Sequence, residues 1–325
     1  MKVSVIVPIY NVEIFIERCA TSLMEQTLQE VEYIFVDDCS LDNSVAKLKN
    51  VVALYPHRNR YIQIVAHNQN RGLPAARNTG LALATGEYIF HCDSDDWIEK
   101  DTLEALYAAA MKKKADVVWC DWFLSFEQSE RYMKQPCYAT AADALKGMLS
   151  GAMKYNVWNK LVKRTLYVDN HILFPAGYGM GEDMTIIRLA ACAKQIAYVP
   201  HAFYHYVKLN TGAFTQAYSK KKLEDLQHNV NETISFVKEK VGSHLNNEVA
   251  YFLLNVKLPF LITDDRKMYC LWSEWYSEAN SYILSNKYIS LRLRLLQYVA
   301  SKKCYWLVWL YYKLVYKLIY GVIYK

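Results

Sequence analysis

The residues best suited to chemistry lie in one short run, residues 91–96, whose sequence is HCDSDD. Its three carboxylates repel one another, and hard divalent cations such as Mg²⁺ and Mn²⁺ bind carboxylate oxygens. Residues 86–90 have the apolar, aromatic-rich character of a buried strand, and open α/β sheets bind ligands at the carboxyl ends of their strands. The run therefore indicates a metal-assisted site. A solvated loop whose aspartates cap the next helix is the alternative interpretation.

The elements that must position this run alternate between strand and helix. Apolar, β-branched segments predict strands at residues 3–9, 33–36, 61–66 and 86–90, and helical patterns lie between them. This alternation predicts a doubly wound, mostly parallel α/β sheet. The second strand runs directly into two aspartates at residues 37–38, which gives a second acidic strand end.

Two common nucleotide-binding signatures are missing from the sequence. No G-x-G-x-x-G follows the first strand, which disfavours a dinucleotide-binding dehydrogenase, and there is no Walker A loop. We therefore expect any nucleotide to be held by strand-end side chains and a metal ion.

Beyond residue 101 the sequence predicts further elements and then a change of class. We expect helices at 102–114, 141–148 and 184–193, a strand at 116–120, a loop or short hairpin at 121–140, and short strands at 196–199 and 202–206. After Ser219 the pattern becomes helical, at residues 220–240, 244–261 and 269–284. The predicted organisation is a catalytic domain over residues 1–219, a helical extension over 220–303 and a tail helix over 304–325.

The composition is that of a globular protein whose basic charge is concentrated at one end. The chain has 325 residues, 53% hydrophobic content and a formal net charge of +6. No acidic residue follows Glu278, so the positive charge belongs to the last part of the chain. The eight cysteines show no C-x-x-C spacing, which argues against zinc and a disulfide framework and suggests a cytosolic protein. Pro8 within the apolar start, and the lack of a small-residue cleavage site, argue against a signal peptide.

Ten short motifs occur in the order typical of one enzyme family. They are VIVPIYN at 5–11, QT at 26–27, VDDCS at 36–40, DNS at 42–44, NRG at 70–72, ARN at 76–78, GEY at 86–88, DSDD at 93–96, WNKL at 158–161 and ED at 182–183. Together they make the first 210 or so residues resemble the family 2 glycosyltransferases of the GT-A fold. The resemblance implies a nucleotide-sugar donor bound across the strand ends and an inverting transfer.

The resemblance assigns the donor side of the site to strand-end residues. Asp38 would accept the imide N–H of a uracil, although capping the next helix is the alternative role of an acidic residue there. Arg77 would lie near the diphosphate, and a surface helix charge is its alternative. Asp95 would contact Mn²⁺ or Mg²⁺, and Asp96 would support the site or face the acceptor. The other implied donor-binding residues, near the nucleobase and ribose, are Pro8, Tyr10, Asn11, Asp93 and Ser94.

The acceptor side needs one carboxylate that takes the proton of the attacking hydroxyl. Asp183 is the candidate general base, with Glu182 as the neighbouring alternative and a plain helix-start charge as a third interpretation. Trp158 and Lys160 match a recurring family segment and are placed near the acceptor, with plain core packing as the alternative for Trp158. Lys208 stands where many members carry arginine, so it would meet a phosphate as a point charge.

The last segment, residues 304–325, is rich in Tyr, Trp, Leu, Val, Ile and Lys. Lys313 and Lys317 disfavour a membrane span, because a central lysine costs about 2.5–3.5 kcal/mol on insertion. The lysines and a row of apolar residues recur at helical spacing on different faces, which predicts an interfacial amphipathic helix on an anionic membrane. A helix packed on the protein's own body is the alternative.

The sequence thus predicts a metal-assisted, inverting hexosyl- or N-acetylhexosaminyltransferase that uses a UDP-sugar. The expected acceptor is a glycan or a lipid-linked saccharide in surface polysaccharide synthesis, and no nucleic acid partner is expected. The expected location is the cytoplasm, peripherally on the inner face of the membrane. A nucleotidyltransferase of related fold and a catalytically inactive glycan- or membrane-binding protein are the alternatives. The sequence does not identify the sugar, the acceptor or the oligomeric state.

Overall fold

The structure is a computed structural model that describes residues 1–208 and 219–320, and the side chains of residues 243 and 318–320 are outside this description. The chain forms two compact units. The first comprises Met1–Ala142 and Tyr155–Lys240, and the second comprises Asp143–Lys154 and Val241–Lys325. Contacts therefore group the helix after Ser219 with the first unit, whereas the predicted boundary lies before this helix.

A nine-stranded mixed sheet forms the core of the first unit. Its strands are β1 (Val3–Ile9), β2 (Val31–Asp37), β3 (Ile62–Ala66), β4 (Tyr88–His91), β5 (Trp97–Ile98), β6 (Val117–Ser125), β7 (Glu130–Met133), β8 (Lys160–Lys163) and β9 (Ile196–Val207). They lie in the order β3-β2-β1-β4-β8-β6-β9-β5, with β7 paired to β6.

The first four strands form the parallel part of this sheet. β1 pairs in parallel with β2 and β4, and β2 pairs in parallel with β3. Every residue of β1 and β2 is buried, as expected for strands covered on both faces. Because these strands are parallel, their carboxyl ends share one edge, where residues 37–38 and 91–96 emerge. The predicted α/β fold of the GT-A class is confirmed.

The other strands add antiparallel pairing on the far side of β4. β8 is antiparallel to both β4 and β6, whereas β6 and β9 are parallel. The register of β6 against β9 shifts around Asp121, which is the signature of a β-bulge. This bulge lets β9 continue through Pro200, so one strand replaces the two short strands predicted there. Residues 121–125 extend β6, which pairs antiparallel with β7, so the short hairpin is the correct one of the two interpretations of residues 121–140.

The chain contains twelve α-helices within the described ranges. They are α1 (Ile16–Met24), α2 (Ser44–Ala53), α3 (Leu73–Leu83), α4 (Thr102–Lys113), α5 (Ala141–Ser150), α6 (Arg164–Asp169), α7 (Thr185–Cys192), α8 (Lys220–Val241), α9 (Asn246–Lys257), α10 (Arg266–Glu274), α11 (Leu291–Ser301) and α12 (Tyr305–Tyr311). Short 3₁₀ turns separate several of them.

Most of α5 and the helices α9 to α12 belong to the second unit. The amide of Asn286 donates to the Ser150 carbonyl at 3.2 Å, which ties α5 to the later helices. The predicted helix over residues 269–284 ends early, because Tyr276 adopts a left-handed φ of 46°. A 3₁₀ turn at Ser277–Tyr282 follows it.

The predicted tail helix consists of α12 and a π-helix over Tyr312–Tyr320, while residues 321–325 are outside the described residues. Val308 is buried, and Lys313 lies 3.3 Å from the Asp264 carboxylate. Within residues 1–208 and 219–320, no helix combines the length and the apolar character needed to cross a membrane.

Candidate active site

The acidic run emerges from β4 at the shared strand edge, and β9 fixes its shape. The Asp93 backbone N–H donates to the Tyr204 hydroxyl at 3.0 Å, and that hydroxyl donates to Asp96 Oδ2 at 2.7 Å. The second Asp96 oxygen accepts the Val207 N–H at 2.8 Å. Burial raises the pKa of Asp96, and the charges of Asp95 and Asp93 add to this. Asp96 therefore anchors the run to β9, which favours its supporting role over contact with an acceptor.

Arg77 joins this run to the next part of the site. The helix that carries it, α3, begins after Gly72 at a φ of 84° and has proline in its first turn. Arg77 is 1% exposed and its Nη2 donates to Asp93 Oδ1 at 2.8 Å. Burial acts to lower the pKa of Arg77, but the charges of Asp93, Asp183 and Glu182 outweigh it and raise that pKa. Arg77 is thus a buried cation that lies between carboxylates, and it is not a charge on the helix surface.

Two donor atoms of this guanidinium face no acceptor. Nε and Nη1 of Arg77 are buried and have no hydrogen-bond partner within the described residues. Buried donors of a charged group are normally satisfied, so such atoms mark a place where an anionic ligand or a water molecule fits. The predicted role of Arg77 beside a diphosphate is consistent with this geometry.

The segment that carries Glu182 and Asp183 is held in place by α8. Asp225 Oδ2 accepts the Gly179 N–H at 3.0 Å, and the Asn229 amide donates to the Met180 carbonyl at 2.6 Å. Gly181 then turns the chain with a φ of 87° into the 3₁₀ helix Glu182–Met184. This fixed loop delivers both carboxyl groups towards Arg77.

The two carboxyl groups differ in how well the protein stabilises their charge. Burial raises the pKa of Glu182 to about 8, with Asp183 adding to the effect and Arg77 opposing it. Burial also raises the pKa of Asp183, but Arg77, Lys160 and the Val157 N–H at 3.0 Å oppose that rise. Asp183 is consequently the better candidate for an ionised base near neutral pH.

Trp158 and Lys160 lie behind the site and do not line an open surface. Trp158 is buried and stacks on Tyr204 and Tyr206, with ring centroids 4.4 and 5.4 Å apart. Lys160 is fully buried in β8, and its Nζ donates to the Asn156 carbonyl at 2.6 Å. Burial lowers the pKa of Lys160 to about 7, with Asp183 and Cys120 opposing the change. This geometry favours packing and positioning roles over direct acceptor contact.

The predicted nucleobase side is built around Asp38. Its Oδ1 accepts the Arg71 N–H at 2.8 Å and lies 2.6 Å from His67 Nδ1, and its Oδ2 accepts the Gly72 N–H at 2.7 Å. Asp38 therefore fixes the loop that begins α3, a role in addition to the predicted uracil contact. The residue after it, Cys39, has a φ of 67°, a left-handed backbone conformation that favours glycine or asparagine.

The remaining predicted donor residues differ in exposure. Tyr10 is 46% exposed, whereas Pro8 and Ser94 are buried. Asn11 has a φ of 51°, and its Oδ1 accepts the Leu41 N–H at 2.8 Å. Lys208 is exposed, with its ammonium 5.4 Å from the Tyr206 ring centroid. Among these predicted donor residues, Tyr10 is the one with an exposed aromatic ring.

A comparison with protein families decides the class. The model of glycosyl transferase family 2 matches residues 4–183, more than half of the chain, and the match includes the acidic run, Arg77 and Asp183. The chain belongs to glycosyl transferase family 2.

Individual proteins support this assignment. EpsH of Bacillus subtilis (strain 168) is 32% identical over 230 residues, which cover 68% of this chain and 65% of EpsH. This chain thus spans just under two thirds of that relative.

S. aureus TarS 1–349 in complex with UDP-GlcNAc has a TM-score of 0.69 at 23% identity, over 96% of this chain and 92% of that one. The mannosyltransferase PcManGT of Pyrobaculum calidifontis with GDP-Man and Mn²⁺ has a TM-score of 0.54 at 17% identity, over 96% and 86%. At these identities the two structures show the shared fold alone.

A metal ion in this site would need ligands beyond the protein. Within residues 1–208 and 219–320, no three His, Cys, Asp or Glu side chains are gathered closely enough to hold an ion. Mg²⁺ in phosphate-transferring sites is commonly held by one or two carboxylates plus substrate phosphates. Asp95 is half-buried at the end of β4, next to the Arg77–Asp93 pair. The residues present therefore fit an ion that is shared with a bound diphosphate.

Several supporting residues of this site are absent from the sequence predictions. They are Tyr204, Tyr206, His67, Asp225 and Asn229, which hold or line the predicted site residues. Burial raises the pKa of Tyr206, and the nearby charges of the acidic run and of Asp183 add to that rise, so its phenol lies within the acidic site. The tyrosine-rich sequence of β9 was the available signal, because buried phenols need polar partners.

Proposed function

We propose that this glycosyltransferase moves a hexose or N-acetylhexosamine from a UDP-sugar to a hydroxyl of a glycan or lipid-linked saccharide, with inversion. The observation that carries the proposal is the buried Arg77, which pairs with Asp93 on one side and faces Asp183 and Glu182 on the other. The donor motif and the candidate base therefore belong to one site. The UDP-GlcNAc bound by TarS supports a UDP-sugar as donor.

In the proposed mechanism, the acceptor oxygen attacks the anomeric carbon while the bond from that carbon to the diphosphate oxygen breaks. Asp183 takes the proton of the acceptor hydroxyl as general base. Glu182 is the weaker candidate, because burial and the charge of Asp183 raise its pKa to about 8 and so favour its protonated form. Arg77, with two unsatisfied N–H donors, orients the diphosphate through hydrogen bonds.

We infer that Asp95 holds a divalent cation, Mn²⁺ or Mg²⁺, together with the donor phosphates. When bound, the ion stabilises the negative charge that develops on the leaving diphosphate. The Mn²⁺ in PcManGT supports a metal in this fold. Asp96 keeps the carboxylates of the run in place through Tyr204 and Val207.

Calorimetric titration with UDP, with and without Mn²⁺, tests the donor side. Asp95→Ala should abolish the Mn²⁺-dependent part of the UDP affinity. Asp169→Ala, an exposed aspartate at the end of α6, is the matched control and should bind as the wild type does. Unchanged Mn²⁺-dependent binding in Asp95→Ala would remove the metal from this mechanism.

We further propose that the second unit associates peripherally with an anionic membrane, on the cytoplasmic side. Trp306 is 63% exposed and Leu314 is 49% exposed, although Lys313 and Lys317 both lie near Asp264. Helices α11 and α12 also border an apolar cavity of about 470 Å³, lined by Leu291, Arg292, Leu295, Leu296, Val299, Leu307 and Tyr311. Exposed tryptophan and leucine beside lysine and arginine favour an interfacial position.

Flotation with vesicles that contain phosphatidylglycerol tests this association. The full-length Trp306→Ser/Leu314→Ser variant should lose most vesicle binding, because it removes exposed apolar side chains of the tail. Leu41→Ser, which changes an 86% exposed leucine of the first unit, is the control and should float like the wild type. Equal flotation of all three proteins would contradict the proposal.

A further inference from the structure

A single peptide group lies between Lys160 and Asp183. The Lys160 ammonium donates to the Asn156 carbonyl oxygen at 2.6 Å. The N–H of the same peptide group, that of Val157, donates to Asp183 Oδ1 at 3.0 Å. We propose that this peptide group transmits the charge of Lys160 to Asp183, so that Lys160 is a positioning residue that sets the basicity of the general base. This inference rests on the proposed role of Asp183.

Hydrogen bonds in series polarise one another, and the effect is stronger in a buried, low-dielectric site. A cation on the carbonyl oxygen withdraws electron density from the peptide and makes its N–H a better donor. A better donor stabilises the ionised carboxylate relative to the protonated acid. The charge of Lys160 therefore favours the form of Asp183 that can accept a proton.

The surroundings keep the lysine in this position. Lys160 lies in β8, and its Nζ also donates to Asn159 Oδ1 at 2.8 Å. The Asn159 amide in turn donates to the Cys120 carbonyl at 2.9 Å, which ties the segment to β6. Trp158, between Val157 and Asn159, stacks on Tyr204 and is thereby fixed against β9. The Lys160 side chain is fully buried, so its ammonium donates to protein acceptors, among them the Asn156 carbonyl.

The charged and titratable groups around the pair are few. Asp183 is faced by Arg77 from α3, Asp93 from the acidic run, Tyr206 from β9 and its neighbour Glu182. Lys160 is influenced by Asp183 and by Cys120 from β6. Of the two cations that act on Asp183 within the described part of the chain, Arg77 carries a permanent charge and Lys160 a variable one. A lysine at this position allows the charge to be regulated, whereas a second arginine would not.

The test is the pH dependence of kcat/KM for sugar transfer by the full-length enzyme. Lys160→Met removes the charge and the donor, and Lys160→Gln keeps an N–H donor without the charge. Both should move the acid limb of the profile to higher pH by about one unit, because an opposite charge near a carboxyl group lowers its pKa by about that much or more. The affinity for UDP with Mn²⁺ should stay the same. A lower kcat with an unmoved acid limb would mean a structural role only and would overturn the inference.

Amide spectroscopy of the wild type gives a result that does not depend on the variants folding. In protein labelled with ¹⁵N-valine, the Val157 nitrogen shift should titrate over a pH range that includes about 7, the pKa of Lys160. A Val157 signal that does not change over this range would contradict the relay. Failure of the proposed function has a different signature, because Asp183→Asn would then transfer sugar as well as the wild type.

Discussion

Replacement of Arg77 by methionine tests the electrostatic arrangement of the site through stability. Methionine keeps an unbranched apolar stem of similar length but leaves the surrounding carboxylates without their cation. Removing one partner of a buried ion pair costs about 3–5 kcal/mol. Asp93 has a side chain that is 22% exposed and can regain water, so we expect the lower end, about 3 kcal/mol.

The same variant should show a characteristic pH dependence. Burial already raises the pKa values of Glu182 and Asp183, and without Arg77 they rise further. The folded variant then holds more protons than the unfolded chain, so its stability falls as the pH rises. Each additional proton contributes about 1.4 kcal/mol per pH unit. We therefore expect the destabilisation to be about 1–3 kcal/mol larger at pH 7 than at pH 5.

Arg58→Met is the matched control for this experiment. Arg58 is also buried, at 2% exposure, but its hydrogen bonds within the described residues go to backbone carbonyls, among them that of Leu28 at 3.0 Å. Its loss should cost a similar stability at both pH values. Urea unfolding followed by tryptophan fluorescence at pH 5 and pH 7 measures both variants. An equal loss at the two pH values for Arg77→Met would refute the electrostatic reasoning.

Two further predictions concern the donor side and the core. Tyr204→Phe removes the hydroxyl that joins Asp93 and Asp96, and should weaken UDP·Mn²⁺ binding by about 1–3 kcal/mol in calorimetry. Tyr198→Phe, which loses a β9 hydroxyl bound to Asp121 at 2.8 Å, is the control, and equal affinities in both variants would contradict the role of Tyr204. Gly86→Ala should lower the stability by about 1–3 kcal/mol, because its Cβ would lie 2.6 Å from the Ser4 backbone nitrogen. An unchanged melting temperature would contradict this packing argument.

The sequence was most informative where local pattern and chemistry coincide. The strands before residues 37–38 and 91–96 were predicted because buried parallel strands have continuous apolar runs. Their parallel pairing with β1 and the shared edge follow directly. The burial of Arg77 could not be predicted, because the local sequence of α3 does not show which of its side chains face the protein interior.

The supporting contacts come from distant parts of the chain, which explains why they were missed. Tyr204 meets the acidic run because β5, which directly follows the run, pairs with β9. Asp225 and Asn229 lie on a helix that the helical pattern alone assigns to an extension. Their hydrogen bonds to the backbone at residues 179 and 180 join that helix to the first unit. Such side-chain-to-backbone bonds leave no periodic signal in a sequence.

The most direct test of the account compares transfer and donor binding in Asp183→Asn. UDP release from UDP-sugars in the presence of glycan and lipid-linked acceptors measures transfer, and calorimetry measures donor affinity. The account predicts that Asp183→Asn binds UDP with Mn²⁺ like the wild type and loses transfer by about 10²–10⁴-fold, whereas Glu182→Gln retains most of it. Full transfer by Asp183→Asn would contradict the assignment of the base and, with it, the proposed mechanism.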